Sequence, residues 1–196
     1  MASNRIQPID IDRVSDPRMA EEFARARREG VPRPESHAIR ARVPAVFWSF
    51  VNTWNDVFRS GSVDVLIKEL CRVYVSQAVQ CAYCGGQRLN DAASGGVTEA
   101  HYKDVVNFER SDLYDERQRA ALSLADAITW DRDVDDAFWQ RLYAHFSEPE
   151  LVELGYFIGF TMGQQRFNRL LNIVIEPDQD AAVQPPVGHA SGSQHA

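Results

Sequence analysis

Apolar residues recur along most of this chain at the spacing of an α-helix. Between residues 63 and 78 they stand three, four and seven positions apart, as on the buried face of one helix. No segment alternates apolar and polar residues with the period of two that strands show. The pattern predicts an all-α fold of seven to nine helices. The predicted helices cover residues 16–30, 46–59, 63 to the cysteine segment, the stretch after it to about 93, 98–108, 115–130, 134–146 and 147–175.

Capping and helix-breaking residues mark the predicted helix ends. Asp16 followed by Pro17 is typical of a helix start, and Gly30 is typical of a helix end. Ser147, followed by acidic residues and a proline, marks the start of the last and most apolar helix. Residues 1–15 show no clear period, so we interpret them as an extended arm.

The composition is that of one globular domain. The chain has 196 residues, of which 44% are apolar and 25% are charged. A net charge of -7 argues against nucleic acid or an anionic membrane as a partner. No apolar run has the character of a signal peptide or the length of a membrane span. Three cysteines are too few for a disulfide scaffold, so we expect a cytoplasmic protein.

The chemistry-bearing segment contains Cys81 and Cys84 with two residues between them. This spacing places both thiols on one face of a helical turn, where they can form a disulfide or share a metal. Zinc needs about four ligands and no further ligand stands at suitable spacing, so we expect no metal. A helix start and a nearby cation both favour a reactive thiolate, and Arg88, four residues after Cys84, is the candidate cation. Taken alone, the pair also fits two buried core cysteines.

Other sequence features around this pair narrow the interpretation. Tyr83 stands inside the pair, and Glu69 stands twelve residues before it. Three further segments follow in order, at residues 95–99, 116–122 and 146–154. Together these motifs resemble the alkylhydroperoxidase D-like superfamily, which includes the carboxymuconolactone decarboxylases.

The resemblance implies how the chain is organised. It extends over about residues 37–175 and implies an alkylhydroperoxidase D-like helical bundle. We therefore expect an arm and a helix in residues 1–36, the main domain in residues 37–176, and a disordered tail in residues 177–196. The tail has no leucine, isoleucine or aromatic residue and is rich in polar residues, proline and glycine.

The resemblance also assigns roles to individual residues. Cys84 would be the nucleophile, Cys81 the resolving cysteine and Glu69 the base. Tyr83 stands where the family peroxidases often carry a histidine, and it is a candidate for contact with the substrate. From its position alone, Glu69 could instead be a surface residue paired with Lys68 or Arg72.

Arg88 departs from the family pattern, because the redox members carry a histidine at this position that relays protons. An arginine stays protonated and cannot relay them. It can stabilise the Cys84 thiolate, neutralise Glu69, or hold a substrate carboxylate. A purely structural pairing of Arg88 with Glu69 is the alternative.

The leading functional hypothesis is a thiol-dependent oxidoreductase, either an alkyl hydroperoxide peroxidase or a disulfide reductase. It would need no cofactor. Its partners would be a small-molecule substrate, either a hydroperoxide or an organic acid, and a thiol or disulfide electron donor. The resemblance implies a homo-oligomer, a trimer or hexamer. The alternatives are a lyase or isomerase acting on a small organic acid, and a non-catalytic helical oligomer.

Two weaker features also bear on the site. Cys71 is expected to be an inert thiol in the core. Gln164, Arg166 and Asn168 follow a very apolar stretch, and they either line a pocket or are ordinary polar residues near a helix end.

Overall fold

The structure, a computed structural model, describes residues 4–173. This part of the chain has nine α-helices and no strand, which confirms the all-α prediction. The predicted tail at 177–196 lies outside the described residues. The helices are α1 (Pro17–Glu29), α2 (Pro34–Arg40), α3 (Pro44–Thr53), α4 (Val65–Ala78), α5 (Ala82–Gly85), α6 (Glu99–Asp104), α7 (Glu116–Trp130), α8 (Asp136–Tyr143) and α9 (Glu148–Leu171).

The first helix begins and ends where the capping residues predict. The Asp16 carboxylate accepts hydrogen bonds from two backbone amides of the first turn, and Gly30 ends the helix in the left-handed conformation. The helix α2 was not predicted, although Pro34 opens it and residues 36–40 are all buried. It crosses the predicted boundary between residues 36 and 37. Within the predicted arm, Ile11–Arg13 forms a short 3-10 turn.

The prediction of a helix continuing to about residue 93 was wrong. The helix α5 ends at Gly85, and residues 86–96 contain turns and no helical residue. Two adjacent glycines weaken a helix at this point by about 1 kcal/mol each. The backbone amide of Asn90 instead donates to the carbonyl of Glu29, at the end of α1. The segment after the cysteines is therefore fixed against the N-terminal part of the chain.

Two other helices differ from the prediction in their ends. The predicted helix at 46–59 is α3 followed by a π-helical turn, Trp54–Arg59. The last helix ends at Leu171, and Asn172 follows in the left-handed conformation. None of the helices within the described residues is long and apolar enough to cross a membrane.

The helix α4 lies at the centre of the fold and packs against α7 and α9. Its residues 67–76 are buried on every side, not along one face only. The buried charges on α4 are balanced: Lys68 pairs with Glu153 of α9 at 2.9 Å, and Glu69 pairs with Arg72 at 2.7 Å. A second apolar cluster, which includes Phe23 and Phe47, joins the arm and α1 to α2 and α3.

Candidate active site around the cysteine pair

Cys81 and Cys84 form a disulfide at the start of α5. The two sulfurs are 2.11 Å apart, and both side chains are buried. Cys81 is the N-cap of the short helix, and the backbone amide of Cys84 donates a hydrogen bond to its sulfur at 3.3 Å. In the reduced protein this amide would favour negative charge on Cys81.

Glu69 and Arg72 form a buried ion pair beside the cysteines. Arg72 donates to the two carboxylate oxygens of Glu69 from Nε at 2.7 Å and from Nη2 at 2.8 Å. It also donates to the backbone carbonyls of Cys84 at 2.7 Å and Gln87 at 2.9 Å. Burial alone would lower the pKa of Arg72, but the Glu69 carboxylate outweighs it and raises that pKa. Glu69 is therefore buried and not a surface residue. Its partner is Arg72, one of the two residues expected to pair with a surface Glu69.

Arg88 does not contact Glu69. Its Nε donates to Glu99 at 2.7 Å, and its guanidinium lies 4.2 Å above the ring of Tyr102. Tyr102 in turn donates from its hydroxyl to Glu69 at 3.1 Å. Burial and the Glu69 carboxylate raise the pKa of Tyr102, so its hydroxyl keeps the proton that it donates. The cation expected to neutralise Glu69 is therefore Arg72, and the idea that Arg88 pairs with Glu69 was wrong.

Tyr83 fixes the cysteine turn to α2. Its buried hydroxyl accepts from the backbone amide of Ser36 at 3.1 Å and donates to the Glu35 carboxylate at 3.2 Å. Burial and Glu35 raise the pKa of this hydroxyl. A direct contact of Tyr83 with the substrate stays a prediction.

A small cavity of about 30 Å³ adjoins the disulfide on the side of Cys84. Cys81 and Tyr83 do not line it. Asn168 does, and its amide nitrogen lies 3.8 Å from the Cys84 sulfur. The cavity is lined by Val31, Pro32, Ser36, Arg40, Phe50, Trp54, Arg72, Cys84, Gln87, Phe160, Thr161, Gln164, Gln165 and Asn168.

The polar residues noted on the last helix divide between two environments. Gln164 and Asn168 line the cavity. Arg166 points elsewhere and donates to the carbonyl of Thr129 at 3.3 Å. The idea of a pocket at this helix is therefore confirmed for two of the three residues.

Sequence reasoning missed Arg40, although it is buried in the cavity wall. Arg40 stands in a stretch with no clear helical period, so no local signal marks it. Gln165 is buried as well, and only its position next to Gln164 on an apolar helix could have indicated a role. Both residues come to the cysteines through the tertiary fold.

Two larger clefts lie beside α8, with volumes of about 630 and 600 Å³. Neither is lined by a cysteine. We therefore place the candidate active site at the smaller cavity, because Cys84 of the cysteine pair lines it. Within residues 4–173, no group of three histidine, cysteine, aspartate or glutamate side chains could hold a metal ion.

Cys71, the remaining cysteine, is fully buried between α4 and α7, as expected. Its sulfur lies 3.6 Å from the carbonyl of Ala121. Burial raises the pKa of this thiol, so it stays protonated and unreactive near neutral pH.

Comparison with known proteins assigns the chain to a family. The model of the carboxymuconolactone decarboxylase family matches residues 44–127. The chain belongs to this family. The family match contains the cysteine pair, Glu69, Arg72 and Arg88, whereas Arg40 precedes it. An uncharacterized relative, YdfG of Bacillus subtilis (strain 168), is 30% identical over 98 residues, which are 49% of this chain and 67% of that protein.

Solved structures share the fold of this carboxymuconolactone decarboxylase family member. One is a cysteine-to-alanine variant of the debrominase Bmp8 in complex with 2,3,4-tribromopyrrole. It has a TM-score of 0.73 at 20% identity, over 89% of this chain and 92% of Bmp8. Another is an uncharacterized peroxidase-related protein with an alkylhydroperoxidase AhpD core, from Ralstonia eutropha JMP134. It has a TM-score of 0.70 at 19% identity, over 90% and 93% of the two chains.

Proposed function

We propose that the protein is a thiol-dependent reductase in which Cys84 attacks a small hydroperoxide and Cys81 resolves the product. The observation that carries the proposal is that Cys84 lines the cavity while its disulfide partner Cys81 does not. A substrate in this cavity would therefore meet Cys84 first. The Cys81 sulfur does not line the cavity but is close enough to bond to the Cys84 sulfur, which suits a resolving thiol.

The chemistry balances with two thiols and one hydroperoxide. The Cys84 thiolate attacks the terminal peroxide oxygen, the O–O bond breaks, and the leaving alkoxide takes up a proton to become an alcohol. Cys84 is then a sulfenic acid. The Cys81 thiolate attacks the Cys84 sulfur, water leaves, and the disulfide forms. An external dithiol then reduces the disulfide, and we propose such a donor as the protein's redox partner.

The surrounding residues have distinct proposed roles. The backbone amide of Cys84 stabilises the Cys81 thiolate for its attack on the sulfenic acid. Arg72 fixes the cysteine turn through the Cys84 carbonyl, and Glu69 balances the Arg72 charge. We infer that Glu69 acts mainly by positioning Arg72. To act as the expected base, the Glu69 carboxylate would have to break at least one of its hydrogen bonds to Arg72.

Turnover of cumene hydroperoxide with dithiothreitol as reductant tests the proposal. We expect wild-type protein to consume the hydroperoxide and Cys84→Ser to lose all turnover. The matched variant Cys81→Ser should still react once per chain but turn over poorly, because its sulfenic acid has no internal thiol to resolve it. Full turnover by Cys84→Ser would overturn the proposal. A double cysteine variant that remains active on a lactone or keto acid would favour the lyase or isomerase alternative.

Reductive dehalogenation is a second candidate, because aromatic side chains form part of the cavity wall. Phe50, Trp54 and Phe160 all line it and could contact a flat ring. Two thiols can supply two electrons to a brominated ring, so that carbon–bromine becomes carbon–hydrogen, bromide leaves and the disulfide forms. Bromide release from 2,3,4-tribromopyrrole, compared with hydroperoxide consumption by the same protein, distinguishes the two reactions. Both require Cys84.

We propose a cytoplasmic homo-oligomer, a trimer or hexamer, as the family resemblance implies. Light scattering of the purified chain measures the number of subunits directly.

A further inference from the structure

Arg40 carries a buried positive charge that no carboxylate of residues 4–173 pairs with. Among the described residues, the buried lysine and arginine side chains are Lys68, Arg72 and Arg40. Lys68 pairs with Glu153, and Arg72 pairs with Glu69. Arg40 has no such partner within the described part of the chain. Because burying an uncompensated charge is costly, Arg40 is the position in the core where an anion would be bound most favourably.

The hydrogen bonds of Arg40 leave one donor unused. Its Nε and Nη2 donate to the Gln164 amide oxygen at 3.2 and 3.0 Å, and Nη2 also lies 3.4 Å from the Asn168 amide oxygen. The guanidinium lies 3.8 Å from the centre of the Phe50 ring. Its buried Nη1 has no hydrogen-bond partner. Burial lowers the pKa of Arg40 to about 10, so the side chain is still charged near neutral pH.

Two more unsatisfied polar atoms belong to residues that line the same cavity. The Trp54 indole N–H and the Gln165 amide oxygen are both buried without a partner. The residues that line the cavity therefore carry two unused donors, on Arg40 and Trp54, and one unused acceptor, on Gln165. The cavity volume of about 30 Å³ exceeds the roughly 10–15 Å³ that a cavity needs to hold one water molecule. The cavity has room for a compact polar group.

We propose that Arg40 binds the carboxylate of a small organic acid, with Trp54 as a second donor, and so holds that substrate next to Cys84. The inference rests on the proposed function, because the anion would bind in the same cavity. The substrate class would then be organic anions that carry a reducible group. The rest of the substrate would extend towards Phe160 and Gln164, which are both partly exposed.

A pair of alkylating reagents tests this site without any turnover. Iodoacetate and iodoacetamide alkylate a thiol in the same way but differ in charge, so the ratio of their rates reports an anion site beside Cys84. The protein is first reduced and freed of reductant. We expect Arg40→Gln to lower the ratio of the iodoacetate rate to the iodoacetamide rate about ten-fold, because it removes a charge-assisted hydrogen bond. Arg166→Gln, a matched loss of charge on α9 outside the cavity, should leave the ratio unchanged.

Each result of this experiment has a clear meaning. A lower ratio in Arg40→Gln, largely restored in Arg40→Lys, supports the anion site. If Arg40→Gln slows both reagents equally, Arg40 serves only to stabilise the Cys84 thiolate, and the inference is overturned.

A binding measurement on wild-type protein separates this inference from the proposed function. Calorimetric titration with propionate and with its neutral analogue propionamide requires no variant and no thiol reaction. Preferential binding of propionate supports the anion site even if Cys84 proves unreactive. Equal or absent binding of the two, with an unchanged reagent ratio, means that the cavity holds only water, whether or not hydroperoxide is reduced.

Discussion

At the scale of single residues, the cysteine turn depends on the buried pair Glu69–Arg72. Arg72 is buried, and its guanidinium joins the Glu69 carboxylate to the carbonyls of Cys84 and Gln87. Arg88 stands where the family resemblance implies a proton-relaying histidine, and it is paired with Glu99 near the surface. The cation that matters to the geometry of the cysteines is thus on α4, twelve residues before Cys84.

We predict that Glu69→Gln lowers the free energy of unfolding by about 3 kcal/mol or more, because it leaves Arg72 buried without a counter-charge. Urea denaturation at neutral pH measures the change. The matched control is Glu109→Gln, which breaks the exposed pair with Arg141 and should cost less than about 1 kcal/mol. Equal effects of the two substitutions would show that Arg72 is not held by Glu69.

At the scale of secondary-structure elements, the capping residues predicted helix starts well. Asp16 and Ser147 cap α1 and α9 as expected, because a capping hydrogen bond is formed locally and leaves a local signal in the sequence. The structure of residues 86–96 was mispredicted, because its backbone bonds to the distant end of α1. The helix α2 was missed for a similar reason: it is short, and burial against other elements stabilises it more than its own pattern does.

The capping box of α9 gives a pH-dependent prediction. Hydrogen bonds from the Ser147 amide and hydroxyl, followed by Arg117, lower the pKa of Glu150 from 4.5 to about 2. A carboxyl group with a lowered pKa stabilises the folded state above its unfolded pKa, and this stabilisation is lost as the pH falls through the folded value. Glu150→Gln should therefore cost about 1 kcal/mol near neutral pH. The cost should shrink between pH 4.5 and about 2.

Urea unfolding of wild type and Glu150→Gln at several pH values checks this prediction. Glu148→Gln is the matched control, since Glu148 lies in the same first turn and is exposed. It should have a smaller effect at every pH. A cost for Glu150→Gln that is independent of pH would contradict the account of the cap.

At the scale of the whole molecule, the cavity is assembled from parts of the chain that are far apart in sequence. Arg40 comes from α2, Trp54 from the π-helical turn, Cys84 from α5, and Gln164 and Asn168 from α9. The cysteine pair and Glu69 could be singled out from the sequence because they lie within one short segment. Arg40 could not, since its position beside Gln164, 124 residues later, depends on the complete fold.

In this assembly, the residues for the thiol chemistry and those for the choice of substrate come from different parts of the chain. The thiols and the Glu69–Arg72 pair lie inside the family match at residues 44–127. The cavity wall also includes Ser36 and Arg40, which precede that match. We therefore expect the thiol chemistry to depend on the family core and the choice of substrate to depend on α2.

The most direct test of the account is to find which cysteine first carries the oxidised oxygen. Reduced Cys81→Ser and Cys84→Ser proteins are each treated with one equivalent of cumene hydroperoxide and with dimedone, which traps sulfenic acids, and are then analysed by mass spectrometry of the peptides. The account predicts a dimedone adduct on Cys84 in Cys81→Ser, none on Cys81 in Cys84→Ser, and none on the buried Cys71 in either protein. An adduct on Cys81 in Cys84→Ser, or no adduct in both, would contradict the assignment of Cys84 as the attacking thiol.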